Sequence, residues 1–383
     1  MKMMKRLLLM ALAACSLVAC GKKDTPAPEP KPTPPDPELP TKPARLRGFM
    51  VARVEDVNQQ TVDDVASWGA NIIRLQVCPV KFAATVNRTL WEALPECLNR
   101  VDERLKWAKQ RGLKVVIDLH EPPVQGYSDP GFPAFWNDPQ TRPAFIRFWR
   151  ELAMRFKDPA YNDLIYGYDI YNEPAAWVKG TNHVPHKWRE MAPEIIRAIR
   201  AIDRDVWIIY QPGPWNGPDN YRDLKPLADQ RVMYSLHFYL PGGFTHQGVN
   251  KASREEALAS IGVEYPGAVN GKVWDRATLE RELQLVDEFQ RRYNVPIFVG
   301  EFSVVRWAPT TSAVRWLTDA VSLFETRKWT WCYHAFREWD GWSLEYPEGT
   351  AAFRFKGDPA ASPAKTETER AKVIRRALKY NKG

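Results

Sequence analysis

Eight short apolar runs recur along the chain, and between and after them lie longer stretches in which apolar residues return every three or four positions. Strand-length runs separated by amphipathic stretches of helical length are the pattern of parallel strands covered by helices. The expected strands span residues 46–51, 72–76, 114–119, 165–170, 207–210, 232–238, 297–299 and 329–335. The expected helices span 59–68, 101–111, 142–156, 187–202, 278–293, 312–326 and 367–380, and the fifth crossover, around 221–228, carries the weakest pattern. Eight strand–helix pairs fit a closed (β/α)8 TIM barrel with enlarged loops, an α/β fold that runs from about 200 to over 400 residues. A doubly wound open sheet is the competing arrangement. No Gly-x-Gly-x-x-Gly turn or Walker loop follows any strand, which removes its usual nucleotide-binding version.

The barrel domain is expected over residues 45–383, and the chain before it has another character. Lys2, Lys5 and Arg6 precede an apolar run over 7–14, and Leu17-Val18-Ala19-Cys20 follows, which is the order of a secretory signal. The run falls short of the roughly 20 apolar residues of a membrane span. Its ending resembles the bacterial lipoprotein box, which implies a signal over residues 1–20 with Cys20 as the lipidated residue. Gly21, where an Asp would favour the inner membrane, implies a lipid anchor in the outer membrane of a Gram-negative bacterium, on its periplasmic or surface face. Nine of the 32 prolines fall within residues 24–44, where almost nothing is apolar. Residues 21–44 are therefore expected as an extended spacer, at about 3.1 Å per residue.

Past Cys20 the cysteines are Cys78, Cys97 and Cys332. An exported protein can form a bridge; Cys78 and Cys97 flank one loop and can pair, whereas Cys332 sits in an apolar strand as an expected buried thiol. The formal charge is +8, of which Lys2, Lys5 and Arg6 supply three, and the remaining cations are interleaved with acids. With no block of like charge, nucleic acid is not an expected partner. Sixteen tryptophans are the more unusual feature, because a large ring with a polar handle suits a wet binding surface. Trp136, Trp177, Trp215, Trp274 and Trp342 fall in expected loops.

In a (β/α)8 barrel, chemistry sits at the carboxyl ends of the strands, so polar residues that close apolar strands are the candidates. They are Arg74 in the second strand, Asp118 and His120 at the third, Asn172 and Glu173 after the fourth, His237 and Tyr239 at the sixth, Glu301 at the seventh, and His334, Arg337, Glu338 and Trp339 at the eighth. Two acids ending strands four and seven can face each other. Cleaving an acetal needs one carboxyl group protonated towards the leaving oxygen and another ionised towards the anomeric carbon. Such roles require separated pKa values. Arg74 and the Tyr239 phenol placed against Glu301 would keep it ionised, leaving Glu173 to hold the proton.

Asn172-Glu173-Pro174, with Arg74, His120, His237-x-Tyr239 and Glu301 in that order on those strands, resembles glycoside hydrolase family 5, the large cellulase family, across the whole domain. The resemblance implies a retaining enzyme with Glu173 as acid/base, Glu301 as nucleophile, Asn172 as a donor to the sugar 2-hydroxyl, and Arg74, His120, His237 and Tyr239 as the supporting shell. In the family a tryptophan after strand eight forms the floor under the cleaved sugar. Here that region reads Trp329-Thr330-Trp331-Cys332-Tyr333-His334-Ala335-Phe336-Arg337-Glu338-Trp339. Trp339 is the first candidate for the platform, Trp331 the second, and His334 can occupy a position where relatives carry a ring.

Two other classes compete. A noncatalytic surface glycan-binding lipoprotein would keep the tryptophans without needing both acids. A metal-dependent hydrolase would need a ligand cluster, yet no His-Glu-x-x-His is present, and His183-Val184-Pro185-His186 has a proline between its histidines. Neither metal nor cofactor is expected, and a monomer is. The expected substrate is a β-linked polysaccharide or oligosaccharide, cleaved by endo-acting β-1,4-glucanase activity. An exo-β-glycosidase or β-mannanase is the alternative, because the long insertion after strand six can wall off one end of a cleft.

Overall fold

The computed structural model describes residues 43–127, 133–178, 181–183 and 185–382. The signal segment, Cys20 and the spacer up to residue 42 lie outside the described residues. Strands β1 (Arg47–Arg53), β2 (Ile72–Val77), β3 (Lys114–Leu119), β4 (Ile165–Asp169), β5 (Ile208–Tyr210), β6 (Val232–His237), β7 (Ile297–Glu301) and β8 (Thr330–Phe336) pair in parallel in chain order. β8 closes back on β1, with Arg47 opposite Trp331, so the expected (β/α)8 barrel is the fold.

Around it run α1 (Gln59–Ser67), α2 (Leu90–Gln110), α3 (Thr141–Phe156), α4 (His186–Arg200), α5 (Arg276–Glu282), α6 (Gln284–Tyr293), α7 (Thr310–Thr326) and α8 (Glu369–Leu378). Three departures from the sequence pattern have local causes. α2 starts at Leu90 rather than at 101, because Thr89 and Glu92 cap each other's exposed donors. The expected helix over 278–293 breaks into α5 and α6 at Leu283. The fifth crossover holds only the 3-10 turn Pro218–Tyr221. Residues 221–228 cannot continue it as a helix: Asp223 has a φ of 58°, and Pro226 has no N–H to give.

Alternation along the strands builds the barrel interior in layers. Ile72, Val116, Ile209, Met233, Phe298 and Cys332 form an apolar cluster of their own, distinct from the core between sheet and helices. Two residues nearer the carboxyl ends, the same faces carry Arg74, Asp118, Gln211, Ser235 and His334. The apolar layer thus supports a charged one, and that step positions the site. β1 approaches β2 so closely that a Cβ on Gly48 would meet the Ile72 carbonyl oxygen at 1.8 Å, which only glycine avoids.

Cys78, Cys97 and Cys332 are all buried free thiols. The possible Cys78–Cys97 bridge is not made: Cys78 begins the short helix Pro79–Thr85, while Cys97 sits on the buried face of α2. Cys332 is buried in β8, as its sequence setting implies. Among the described residues no helix is long and apolar enough to cross a membrane.

Candidate active site

Glu301 ends β7 at the barrel mouth and is 4% exposed. Its position depends on the preceding glycine, since a Cβ on Gly300 would come within 2.9 Å of His237 Nε2 and 3.0 Å of Ser235 Oγ. Arg74 Nη1 donates to Oε1 at 2.7 Å, and the Tyr239 hydroxyl donates to Oε2 at 2.9 Å. His334 Nδ1 stands 3.3 Å from Oε2, and His237 Nδ1 stands 3.7 Å from it. Burial opposes ionisation here, but the fields of His237, His334, Arg74 and His120 outweigh it and hold the Glu301 carboxyl well below its usual range.

Arg74 is the hub of the charged layer. Beyond Glu301, its Nη2 donates to Asn172 Oδ1 at 2.8 Å and lies 2.9 Å from Asp118 Oδ1, while its Nε donates to Asp169 Oδ2 at 3.0 Å. Burial disfavours the guanidinium charge, yet Asp118, Asp169 and Glu301 raise its pKa. Asp169 in turn accepts two hydrogen bonds from Gln211 Nε2, at 2.9 and 3.0 Å, and burial pushes it up to about 7 against the pull of Arg74. His120 Nδ1 meets Asp118 Oδ2 at 2.8 Å; burial works against its charge, but Asp118 raises its pKa.

Glu173 is held differently. It follows β4 with a φ of 44°, a strained conformation for a non-glycine residue. Its backbone N–H donates to Gln211 Oε1 at 2.8 Å, which fixes that turn. Its side chain is partly open to solvent, and Oε1 lies 2.6 Å from His237 Nδ1. An imidazole nitrogen can donate to a carboxylate or accept from a carboxylic acid, so this contact suits both protonation states of an acid/base. A carboxylate oxygen of Glu173 lies within 4.8 Å of one of Glu301. Retaining glycosidases hold their carboxyl groups about 5 to 5.5 Å apart.

The remaining candidates divide by environment. Asn172 is buried, with Oδ1 taken by Arg74 and its amide N–H groups available as donors. At β8 the side chain that reaches Glu301 is His334, whose Nε2 pairs with Glu338 Oε2 at 2.6 Å. Trp339 stands farther out, 38% exposed and braced edge-on by Trp307 and Trp342. With those two rings, His246, Lys251 and Arg354 it lines a cavity of about 860 Å³. Trp331, the second choice for the platform, is corrected by the structure. It is fully buried, packs edge-on against Phe302 and donates through Nε1 to Glu325 Oε1 at 2.9 Å, so its ring meets the α7 side of the barrel wall rather than the mouth. Trp136 and Trp274 are likewise buried, while Trp215 is 40% exposed.

Residues missed as contributors are Asp169 and Gln211. Asp169 had a usable signal, a charge inside the apolar run 165–170, which is the same signal that marks Arg74. Gln211 directly follows β5, the shortest strand of the barrel. Glu173, His237 and Glu301 form a set of donors able to hold a metal ion. Both Glu301 oxygens, however, already accept from Arg74 and Tyr239, and a guanidinium beside a metal cation is unfavourable, so the donor set fits an acid pair better.

The family model described as Cellulase (glycosyl hydrolase family 5) matches residues 38–340. Endoglucanase C of Acetivibrio thermocellus is 25% identical over 289 residues, covering 70% of this chain and 80% of that one. Cellodextrinase A of Ruminococcus flavefaciens is 24% identical over 289 residues, covering 72% and 80%. Among solved structures, Thermotoga maritima Cel5A in complex with cellobiose superposes with a TM-score of 0.64 at 23% identity, covering 87% of this chain and 96% of that one. At that identity it speaks for the fold. Together with the acid pair on β4 and β7, the family match across most of the barrel makes this chain a member of glycosyl hydrolase family 5, the cellulase family, and a glycoside hydrolase.

Proposed function

We propose that the protein is an endo-acting β-1,4-glucanase that cleaves with retention of anomeric configuration. The observation that carries the reading is the asymmetric pair: Glu301, locked by hydrogen bonds from Arg74 and Tyr239 and held ionised by His237, His334 and Arg74, facing Glu173, which is partly open and bonded to His237. In the first step Glu301 attacks the anomeric carbon while Glu173 passes its proton to the leaving glycosidic oxygen, giving a glycosyl ester on Glu301. In the second, Glu173 takes a proton from water, whose oxygen displaces Glu301 and restores both groups. Asn172, fixed by Arg74, offers its amide N–H to the sugar 2-hydroxyl. The β-1,4-glucan assignment draws support from the endoglucanases among the relatives. The exposed part of Trp339, in the lining of a cavity of about 860 Å³, offers a surface on which a sugar ring can stack.

The test is digestion of cellulose, barley β-glucan, xyloglucan, mannan and their oligosaccharides by the wild type and Glu301→Ala in parallel. Mixed short oligomers from a β-1,4-glucan, made by the wild type alone, are expected. Release of only monomer or dimer would make it exo-acting, and mannan as the sole substrate would make it a mannanase. The lipoprotein-box resemblance further supports an enzyme tethered to the outer membrane through lipidated Cys20, acting on glucan near its own cell. Cys20→Ser is expected to release it from the membrane fraction; continued sedimentation of that variant overturns the anchor.

A further inference from the structure

His334, Glu338 and Gln76 form a polar chain behind the nucleophile, running from buried Gln76 to the more open Glu338 side chain, that the two-acid mechanism leaves unused. Gln76 Nε2 donates to Glu338 Oε1 at 2.9 Å, and Glu338 Oε2 meets His334 Nε2 at 2.6 Å. On the other edge of the imidazole, Nδ1 contacts the Tyr239 hydroxyl, whose oxygen lies 2.9 Å from Glu301 Oε2. A phenol has one proton to give, and here two acceptors compete for it: the Glu301 carboxylate and the His334 Nδ1 lone pair. The outcome depends on what Nδ1 carries. With a proton on both nitrogens, His334 donates to Glu338 and to the Tyr239 oxygen, and the phenolic proton can turn only to Glu301. Once one proton is lost, Nε2–H stays with Glu338, Nδ1 becomes an acceptor, and the Tyr239 proton is drawn away from Glu301.

We propose that His334, held by Glu338, is a positioning residue that aims the Tyr239 hydroxyl at the nucleophile, and that loss of its second proton sets an alkaline limit on nucleophilic attack. The groups around the imidazole support the protonated form. Glu301 of β7 and Glu338 beyond β8 are anionic, against Arg74 of β2. His246, beyond β6, is driven down to about 4 by burial and by His334, so it adds no positive charge near neutrality. Burial lowers the His334 pKa, but the two carboxylates outweigh it and carry it to about 9. With the phenol turned away, Glu301 keeps a donor on one oxygen only, and the plane of its carboxylate is no longer fixed for attack.

The test follows kcat/KM for a dinitrophenyl β-cellobioside from pH 6 to 10.5. A leaving group this good needs no proton from Glu173, so the acid drops out of the measured step. The wild type is expected to fall roughly tenfold through a midpoint near 9. Glu338→Gln should move that midpoint downwards. His334→Asn, a non-titrating donor, should give a flat profile at a rate between those of the wild type and His334→Ala. A wild-type profile flat through that range, or a midpoint unmoved in Glu338→Gln, overturns the proposal. NMR titration of the wild-type imidazole gives a readout independent of the variants, and titration of His334 near 6.5 rather than about 9 also overturns it. The inference rests on the family chemistry and not on the sugar. If only the dinitrophenyl β-mannobioside is turned over, the glucan reading fails and the same profile is taken on that substrate.

Discussion

Arg74 Nη1 donates to Glu301 Oε1 at 2.7 Å in a setting where the arginine side chain is fully buried and the glutamate side chain is 5% exposed. An ion pair so shielded is felt far more strongly than a surface one. The same guanidinium also holds Asn172, Asp118 and Asp169, so one side chain contributes to the charge of the nucleophile and fixes the orientation of a substrate-facing amide together.

Arg74→Lys therefore tests more than charge. An ammonium keeps the cation but lacks the planar fork that serves separate acceptors at once. Losing one or two charge-assisted hydrogen bonds is expected to lower kcat/KM by about 10²- to 10³-fold. Arg74→Met, which leaves the surrounding carboxylates without a cation, should also reduce unfolding free energy by about 3 to 5 kcal/mol. Steady-state kinetics and denaturant unfolding on the same samples separate the two effects, and full activity in Arg74→Lys would contradict the role of the fork.

The acid and the nucleophile are told apart by chemistry rather than by loss of activity. Glu173→Gln is expected to cut kcat/KM on cello-oligosaccharides by about 10²- to 10⁴-fold while sparing activated aryl glycosides, since only poor leaving groups need the proton. With azide, Glu173→Ala should release a β-glycosyl azide, because Glu301 still forms the ester. Any azide product from Glu301→Ala should be the α-anomer, formed by direct displacement. Proton NMR of the anomeric centre checks both, and a β-azide from Glu301→Ala would reverse the assignments.

Much of this arrangement was legible in the chain because each barrel strand announces itself as a short apolar run, and a charge interrupting such a run has to be answered by a partner inside the barrel. Arg74 was readable on that ground, Glu173 and Glu301 as acids closing strands where the barrel mouth lies, and with them the pairing of Arg74 and Tyr239 with Glu301. Which β8 residue faces the mouth was not. Trp331, Cys332, Tyr333 and His334 alternate between the barrel wall and its interior, and apolar or aromatic residues occupy both faces, so hydrophobic pattern alone does not set the register. The α2 start at Leu90 depends on a two-residue cap, and the fifth crossover on Asp223 and Pro226; both are local effects that a periodicity average passes over.

The tryptophans test that register. Trp339→Ala is expected to raise KM several-fold on longer oligosaccharides with little change in kcat, because stacking away from the bond being cleaved contributes to ground state and transition state alike, about 0.5 to 1.5 kcal/mol. Trp331→Phe should leave both constants as they are and lower stability by about 1 to 2 kcal/mol, through loss of the hydrogen bond to Glu325. Kinetics on cellotriose to cellohexaose, with thermal unfolding alongside, would contradict the placement if Trp331→Phe were the variant that raised KM.

The His334–Glu338 pair makes stability depend on pH in a way whose sign can be worked out. Burial opposes both charges, yet His334 takes Glu338 down to about 2 from 4.5, and Glu301 followed by Glu338 takes His334 up to about 9 from 6.5. A raised histidine pKa contributes stability that is complete below 6.5 and fades as pH climbs towards about 9. A depressed carboxylate pKa contributes stability that is complete above 4.5 and fades as pH falls towards about 2. Both contributions are whole only between 4.5 and 6.5. The unfolding free-energy difference between wild type and Glu338→Gln should peak there, at about 1 kcal/mol for a pair partly open to solvent, and shrink on either side. Urea titrations at half-unit pH steps from 3 to 9.5 measure it. A difference that stays constant across that range would mean that the two side chains share a neutral hydrogen bond rather than a charged one, and the imidazole would then have no second proton with which to hold the Tyr239 hydroxyl on Glu301.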